Sequence, residues 1–300
     1  MRNRFSYISV LLLLLSPVLY GTEATETAVD VFQGVRYLKR EESVPDKQII
    51  HIVEITLNAP GLRFLTTPDN GEEGPRETWC ETTREFVKRT GAQVGINGNY
   101  FINDGEAHTE LLGLAVSNGE VVSPWDKGHA EFAVNISKDN KVTFLKRVEG
   151  EEGKFRTEPE TKLYTVLSGN VMLVKEGRIV PREEGDRHPR TGLGVTSDNK
   201  LLLMIVDGRQ PLHSAGMTYH EMAETFLRYG AVNALALDGG GSATLVFADP
   251  KPRVVNAPMP MEMPGGLVFN PPGIERKTGN NLAIFAAPLE ENAGKPASPP

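Results

Sequence analysis

The sequence predicts an α+β fold with a mixed, largely antiparallel β-sheet core and a few helices. Two observations support this fold class. Many short apolar or alternating runs are separated by Asn, Asp and Gly turns, which is typical of antiparallel strands. Only two segments carry clear helix-start signals, too few for the regular alternation of a doubly wound parallel sheet. At 300 residues, 39% of them hydrophobic, the chain can bury a large core.

The N-terminus is predicted to be a secretory signal peptide, spanning residues 1–24. Arg2 and Arg4 precede an apolar run, 8–20, that is interrupted by Pro17. This run is short for a membrane span. We therefore expect an exported protein, periplasmic or extracellular, with no stable membrane span after signal removal.

The rest of the chain is predicted to be a single domain, 25–288, followed by a disordered tail, 289–300, rich in Pro, Ala, Glu and Asn. The formal net charge is -7 and the pI is ≈ 5.5, so no nucleic-acid partner is expected. Cys80 is the only cysteine, so the exported protein must be stable without an internal disulfide.

Two segments share one order of elements. In the first, Thr78-Trp79-Cys80-Glu81 has the form of a capping box, a helix ends at Gly91, and a strand ends at Asn97. In the second, the box is Thr218-Tyr219-His220-Glu221, Gly230 ends the helix, and the strand ends at Asp238. One hypothesis is that these are two pseudo-equivalent helix–strand–turn units whose strand ends face one pocket; the alternative is chance recurrence of a common pattern.

The remaining strands are predicted to form antiparallel hairpins. The segment 22–29 is expected to be loose, 149–160 to be an acidic surface connection, and 250–272 to be a proline-rich loop. The predicted strands are 31–38 with 49–57, the hairpin within 111–122 at Asn118-Gly119, 132–136 with 142–145, 166–174 with 178–180, 190–195 with 201–206, and a closing strand 281–285.

The most informative stretch is the turn after the strand that ends at Asp238. It contains Gly239, Gly240 and Gly241, followed by Ser242. Three consecutive glycines are expected where the backbone takes positive φ or approaches a ligand closely. Their amides can form an anion-binding nest, with the Asp238 carboxylate at its mouth. The alternative is a tight turn with a surface aspartate.

Several motifs in order resemble the phosphodiester glycosidase family. The resemblance covers roughly residues 94–285, with one departure: the family usually has a second glycine where this chain has Asn99. The matching motifs are INGNYF at 96–101, RTGLGV at 190–195, VDGR at 206–209, GMT at 216–218, LDGGGS at 237–242 and the final strand at 280–285.

The resemblance implies hydrolysis of a sugar held through its anomeric oxygen to a phosphodiester, in a phosphorylated glycan of the cell envelope or exopolysaccharide. Asp238 would be the nucleophile or the base that activates water. Arg190 and Arg209 would hold phosphate oxygens, with further donors from the backbone of Gly239, Gly240, Gly241 and Ser242. Asn97 and Asn99 would hold sugar hydroxyls or an N-acyl group.

Asp207 and Glu110 are the candidates for a second carboxylate. Asp207 could instead cap a turn, Glu110 could be a solvated loop acid, and Arg190 could be a surface ion-pair partner. The histidines lack metal-ligand spacing, and of these His129 and His188 could contact substrate. No cofactor is required by the sequence, although a divalent cation could bind Asp238, Asp207 and asparagine carbonyls.

Two other functions compete with glycoside hydrolysis. A phosphodiesterase would break the P–O bond rather than the sugar C–O bond. A non-catalytic anionic-glycan binding protein would use the same arginines without turnover, although a carboxylate at Asp238 would repel its ligand. The stereochemical outcome depends on a carboxylate separation that sequence does not give.

Overall fold

The computed structural model describes residues 24–71, 77–103, 107–125, 130–151, 154–182, 185–210, 212–259 and 274–289. Most of the predicted signal peptide and nearly all of the predicted tail therefore lie outside the described residues. Four sheets and two helices account for the regular structure of the described part. The described strands pair antiparallel, so the largely antiparallel core is confirmed, whereas the predicted mixture with parallel strands is absent from the described sheets.

The largest sheet has eight strands, and it carries most of the residues that matter for the site. Its order is β1-β2-β3-β18-β17-β19-β15-β16. In the same order the strands are β1 Ala24–Phe32, β2 Val35–Glu42, β3 Gln48–Thr56, β18 Lys200–Val206, β17 Arg190–Thr196, β19 Ala231–Ala236, β15 Val171–Lys175 and β16 Arg178–Ile179.

Three smaller sheets complete the fold. The six-stranded sheet contains β10 Glu120–Ser123, β9 Ala115–Ser117, β14 Thr165–Gly169, β11 Phe132–Ile136, β12 Val142–Glu149 and β13 Phe155–Glu158. The five-stranded sheet contains β21 Pro252–Val254, β20 Leu245–Ala248, β6 Val94–Asn97, β22 Asn281–Phe285 and β4 Arg63–Thr66. The three-stranded sheet contains β5 Thr78–Trp79, β8 His108–Leu111 and β7 Phe101–Asn103.

The main core lies between the eight-stranded sheet and the other two large sheets. Leu203 and Leu235 come from the eight-stranded sheet, Ile96 from the five-stranded sheet and Leu167 from the six-stranded sheet, and all are fully buried. Each helix covers an outer face. The helix α2, Tyr219–Arg228, packs on the far side of the eight-stranded sheet, and α1, Thr83–Thr90, packs on the five-stranded sheet.

The helix starts confirm one predicted capping box and correct the other. Thr218 caps α2 with Glu221 as its reciprocal partner, as predicted. The box of α1 is Thr82 with Glu85, not Thr78 with Glu81. Thr78 lies in β5, where its hydroxyl donates to the Gly279 carbonyl at 2.8 Å, so it is not available as a cap. Gly91 ends α1 in the left-handed conformation, as predicted.

Some strand predictions were wrong because tertiary pairing stabilises segments with weak local signals. The segment predicted to be loose, 22–29, lies mostly in β1, which pairs with β2. The predicted strand 166–174 is divided into β14 and β15. A Cβ atom at Gly169 would lie 2.0 Å from the Ala236 carbonyl, so only glycine permits the chain to cross between sheets there. No described helix combines the length and apolar content needed to cross a membrane.

Candidate active site

Three strand ends meet at one edge of the eight-stranded sheet. The first residue of β17, Arg190, pairs with Val206 at the end of β18. On its other side β17 pairs with β19, so that Gly192 lies opposite Ala236. Because β17 is antiparallel to both neighbours, its start lies beside their ends. This topology places Arg190, the turn after β18 and Asp238 at the same edge.

A fourth strand end comes from the five-stranded sheet. The Asn97 side chain, at the end of β6, donates from Nδ2 to the Asp238 carbonyl at 2.5 Å. The Asp238 amide donates to the Gly98 carbonyl at 3.1 Å. The strand ends at Asn97 and Asp238 therefore meet, although they belong to different sheets. The pseudo-equivalence of the two helix–strand–turn units stays a prediction.

The carboxyl group of Asp238 is held in a buried position, with the residue only 9% exposed. Burial raises the pKa of Asp238 to about 6, while the Ser242 hydroxyl, the charge of Arg276 and the Gly239 amide act in the opposite direction. A carboxyl group that is costly to ionise at the end of a strand is typical of a catalytic acid or base.

The glycines after Asp238 allow close approach of other groups. A Cβ atom at Gly239 would lie 2.8 Å from the Pro189 carbonyl, and one at Gly240, where φ is +58°, would lie 3.2 Å from Nη1 of Arg209. Gly240, Gly241 and Ser242 form a single turn of 3-10 helix. The amides of Gly240 and Ser242 already donate to the carbonyls of Pro189 and Gly239. The predicted donors at these two positions are therefore used within the protein.

Arg190 is a buried arginine, not a surface ion-pair partner. Its Nε donates to the Met217 carbonyl and its Nη2 to the Asp186 carbonyl, both at 2.9 Å. Its guanidinium carbon lies 3.8 Å from the centre of the Tyr219 ring. Burial lowers the pKa of Arg190, and the positive charge of Arg209 acts in the same direction. No carboxylate of the described residues forms an ion pair with Arg190.

Arg209 supplies the second positive charge. It follows Gly208 in the turn after β18, and it adopts a left-handed backbone conformation with φ of 59°. Its Nε donates to Nδ1 of His188 at 3.3 Å, and its guanidinium lies against Gly240. Two guanidinium groups that act on each other's charge favour an anion between them.

The site also contains two tyrosines that the sequence did not identify as site residues. The hydroxyl groups of Tyr100 and Tyr219 lie 3.3 Å apart. Burial raises the pKa of Tyr100, and the charges of Tyr219 and Asp238 raise it further, so this hydroxyl stays protonated at neutral pH and can donate a hydrogen bond. The signal in the sequence was position: Tyr100 follows the Asn97 turn and Tyr219 follows the Thr218 cap.

Asp207 lies at the same sheet edge, but its carboxylate belongs to a separate hydrogen-bond cluster. Oδ1 accepts bonds from Asn256 Nδ2 at 3.1 Å and from the Ala257 amide at 2.9 Å. Oδ2 faces Nε2 of His213 at 2.9 Å and of His51 at 3.4 Å. Burial would raise the pKa of Asp207, but these partners hold it well below its ordinary value.

Asn97 and Asn99 form hydrogen bonds within the protein, and their contact with the sugar stays a prediction. Both residues are fully buried. Besides donating to Asp238, Asn97 accepts bonds at Oδ1 from the Thr191 hydroxyl at 2.8 Å and the Thr244 amide at 3.2 Å. Asn99 accepts from the Ser168 amide at 3.0 Å. Direct contact with a sugar would require these internal bonds to break.

Of the other candidates, Glu110 is exposed on a strand and His129 lies outside the described residues. Glu110 is on the exposed face of β8, opposite Ile102, and its charge acts on Glu77. His129 is not among the described residues. Within the described ranges, no group of three or more His, Cys, Asp or Glu side chains has a metal-binding arrangement.

The β-rich α+β fold brings the buried acid Asp238 together with arginine and tyrosine side chains, an arrangement suited to an enzyme that acts on an anionic substrate. The chain belongs to the phosphodiester glycosidase family, which residues 90–285 match.

Three relatives illustrate this membership. N-acetylglucosamine-1-phosphodiester alpha-N-acetylglucosaminidase of Bos taurus is 32% identical over 207 residues, covering 63% of this chain and 37% of the bovine protein. An uncharacterized protein, YomE, from the SPbeta prophage of Bacillus subtilis is 29% identical over 174 residues, covering 54% of this chain and 25% of YomE. The solved catalytic domain of the zebrafish N-acetylglucosamine-1-phosphodiester alpha-N-acetylglucosaminidase has the same fold, with a TM-score of 0.60 at 21% identity over 89% of this chain and 85% of that domain.

Proposed function

We propose that this protein hydrolyses the glycosidic bond of a sugar-1-phosphodiester, of the N-acetylglucosamine-1-phosphodiester type or a related envelope or exopolysaccharide glycan. The observation that carries this proposal is the proximity of the buried Asp238 to Arg190. A Cβ atom at Gly239, the residue after Asp238, would lie 3.5 Å from the Cα of Arg190, and the charges of both Asp238 and Arg190 act on Tyr100. Among the described residues, no carboxylate pairs with Arg190. Family membership and the printed activity of the bovine relative support it. The chain spans well under two thirds of the length of the curated relatives cited above, so the activity of those whole proteins is a proposal here.

The proposed reaction transfers the sugar from phosphate to water. The bond between C1 and the phosphate oxygen breaks, its electron pair stays on that oxygen, and a water oxygen forms the new bond to C1. A phosphate monoester has a second pKa of about 6, so it leaves with less proton donation than a sugar alkoxide needs. The main demands on the protein are therefore to stabilise the anion and the positive charge that develops at C1.

The side chains divide these tasks. Arg190 and Arg209 hold the phosphate oxygens, and Arg276, whose charge also acts on Asp238, lies on the open side of the site. Asp238 is the nucleophile, or the base that accepts a proton from the attacking water. The half-buried Tyr100 hydroxyl donates a hydrogen bond to a phosphate or sugar oxygen.

Asp207 is better suited to positioning the turn that carries Arg209 than to acting as a second reacting carboxylate. Four donors already surround its oxygens, and the bonds to Asn256 and Ala257 join the turn that carries Arg209 to the segment after β21. Because a phosphate leaving group needs little acid catalysis, a single reacting carboxylate suffices for the proposed reaction.

The decisive experiment is release of free sugar from a panel of sugar-1-phosphodiesters, including N-acetylglucosamine linked through phosphate to methanol. We expect release by wild type and a loss of several orders of magnitude in Asp238→Asn. Asp30→Asn, an exposed aspartate in β1, is the matched control and should retain full activity. No release from any member of the panel would reject the proposal.

Labelled water separates the two hydrolytic alternatives. In water enriched in oxygen-18, glycoside hydrolysis places the label on the released sugar, and P–O cleavage places it on phosphate. A pure binding protein would give neither product, and its Asp238→Asn variant would bind anionic glycans more tightly because a repulsive charge is lost.

Export is the remaining part of the proposal, in the periplasm or outside the cell. It rests on the charged and apolar pattern of residues 1–24. N-terminal sequencing of the protein recovered from expressing cells tests it directly. A mature chain that still begins at Met1 would show that no signal peptide is removed.

A further inference from the structure

One cavity lies away from the proposed phosphate site and contains none of its residues. Its volume is ≈ 590 Å³, enough for a sugar residue. One wall is the end of β4 with the loop that follows, and the other is formed by β5 and α1. The lining residues are Thr67, Pro68, Asp69, Asn70, Gly71, Trp79, Glu81 and Arg89.

The cavity adjoins the same sheet edge as Asp238. The amide of Thr67 donates to the Asn281 carbonyl at 3.1 Å, and Asn281 pairs with Asn97, which contacts Asp238. The strands β4, β22 and β6 are consecutive in the sheet. Two strand spacings of about 4.8 Å therefore place Thr67 roughly 10 Å from Asn97. This separation is within the length of a short oligosaccharide bound at Asp238.

Trp79 gives the cavity a flat apolar wall. It is 39% exposed, unusually open for so large a ring. The ring packs on His108, with 4.3 Å between ring centroids and 41° between planes, so its orientation is fixed before a ligand arrives. A fixed exposed indole offers a large contact area at little entropic cost. The apolar C–H face of a pyranose ring is complementary to such a surface.

Asn70 supplies the polar wall. Both atoms of its side-chain amide are buried, and neither has a hydrogen-bond partner among the described residues. Its backbone amide donates to the Glu77 carbonyl at 3.0 Å, which fixes the residue. An unsatisfied buried polar group costs about 1–3 kcal/mol, so an amide with both ends unpaired requires an explanation. Neighbouring sugar hydroxyls, which each donate and accept, would satisfy both ends.

The charges around the cavity favour a neutral ligand. Arg89 donates to both carboxylate oxygens of Glu81, at 2.6 and 3.2 Å, so its charge is already neutralised. Asp69 adds a further carboxylate. A second phosphate group would meet net negative charge here, in contrast to the site of Arg190 and Arg209.

We infer that this cavity, which we call the Trp79 cleft, is a subsite for a neutral pyranose unit in the glycan portion of the substrate. The inference rests on the proposed function and deepens it. The preferred substrate is then a phosphodiester that carries an oligosaccharide, not one that carries a small alcohol.

Binding is tested first, without catalysis. The chain has two tryptophans, so Trp125→Phe leaves Trp79 as the only tryptophan reporter. The emission of this variant is titrated with neutral tetrasaccharides of glucose, mannose and N-acetylglucosamine. We expect a saturable change for at least one sugar, with a Kd of about 1 mM or tighter. Adding Asn70→Ala should abolish it while the variant keeps its melting temperature to within a few degrees. No saturable change with any of the three sugars would overturn the inference.

Kinetics supply the second test. Two esters of N-acetylglucosamine-1-phosphate are compared, one with methanol and one with the tetrasaccharide that binds best. We expect the wild-type KM to be at least about tenfold lower for the tetrasaccharide ester, a difference of 1.4 kcal/mol. This ratio should fall toward one in Trp79→Ala and in Asn70→Ala. An unchanged ratio in both variants would overturn the inference.

The two tests also separate this inference from the proposed function. Hydrolysis of both esters without any emission change would reject the Trp79 cleft and keep the glycosidase. Saturable sugar binding without hydrolysis of either ester would keep the cleft as a glycan site and reject the glycosidase.

Discussion

Replacement of Asp238 by asparagine should stabilise the folded protein at neutral pH while it removes activity. Burial raises the pKa of Asp238 from 3.8 to about 6. One pKa unit corresponds to about 1.4 kcal/mol, so ionising this carboxyl group costs the folded state about 3 kcal/mol. An amide of nearly the same shape has no charge to desolvate and avoids this cost.

The pH dependence of the effect follows from its sign. Between pH 4 and pH 6 the folded protein holds a proton at Asp238 that the unfolded chain has released. Stability from this group is therefore fully present below about pH 4 and is lost as pH rises to about 6. The difference between Asp238→Asn and wild type should be near zero at pH 4 and reach about 3 kcal/mol at pH 8.

The assay is urea unfolding of both proteins at pH 4 and pH 8. At pH 8 the variant should have the higher midpoint with an unchanged slope, because the surface exposed on unfolding is the same. Asp30→Asn should show no comparable difference between the two pH values, because Asp30 is exposed. If Asp238→Asn is no more stable than wild type at pH 8, then ionisation of the buried Asp238 carboxyl group does not destabilise the folded protein, and the prediction is wrong.

Four further results are expected. The kcat/KM of wild type should rise tenfold per pH unit up to about pH 6 and then become constant, because Asp238 reacts in its ionised form. A kcat/KM that falls as pH rises through 6 would show that Asp238 is a general acid instead. Arg190→Lys should lower kcat/KM by about 30–150-fold, because a lysine cannot hold two phosphate oxygens in a fixed plane. An unchanged kcat/KM would show that Arg190 does not bind the phosphate. Asp207→Asn should cost about 3 kcal/mol in urea unfolding at pH 7. This loss should shrink as pH falls below about 4, because the pKa of Asp207 is lowered in the folded state; a loss that grows in acid would contradict the assignment. Gly240→Ala should lower the free energy of unfolding by about 1–2 kcal/mol, because φ at this position is +58°. It should also lower activity, because the new methyl group contacts the Arg209 guanidinium. Full activity in this variant would show that Arg209 does not need to lie close to Gly240.

Much of the local structure could be predicted because its causes lie within a few residues. The turn at Asn118-Gly119 adopts positive φ at both positions and joins β9 to β10, as the sequence pattern predicts. The second capping box is also where the sequence places it. The first was misplaced by one turn because Thr78 and Thr82 both start a Thr-x-x-Glu pattern, and only the contact of Thr78 with Gly279 separates them.

The site could be predicted only in part. The glycine run identified the turn at Asp238, since three glycines have few purposes other than close approach. The roles of the asparagines could not be predicted in the same way. An amide beside a glycine turn suits a ligand or a backbone group equally well, and only burial shows that Asn97 and Asn99 bond the protein itself.

The sequence by itself determined the β-rich fold class, the family, most hairpins and one helix start, and it identified Asp238 as the candidate acid of the site. The tertiary structure decided which groups share that site. Arg190 lies beside Asp238 only because β17 is inserted between β18 and β19, and Tyr100 joins them from the connection between β6 and β7. The raised pKa of Asp238 likewise depends on burial by distant segments. Hydrogen-bond patterns within a turn are local, whereas burial and electrostatic contact depend on segments that are distant from one another in the sequence.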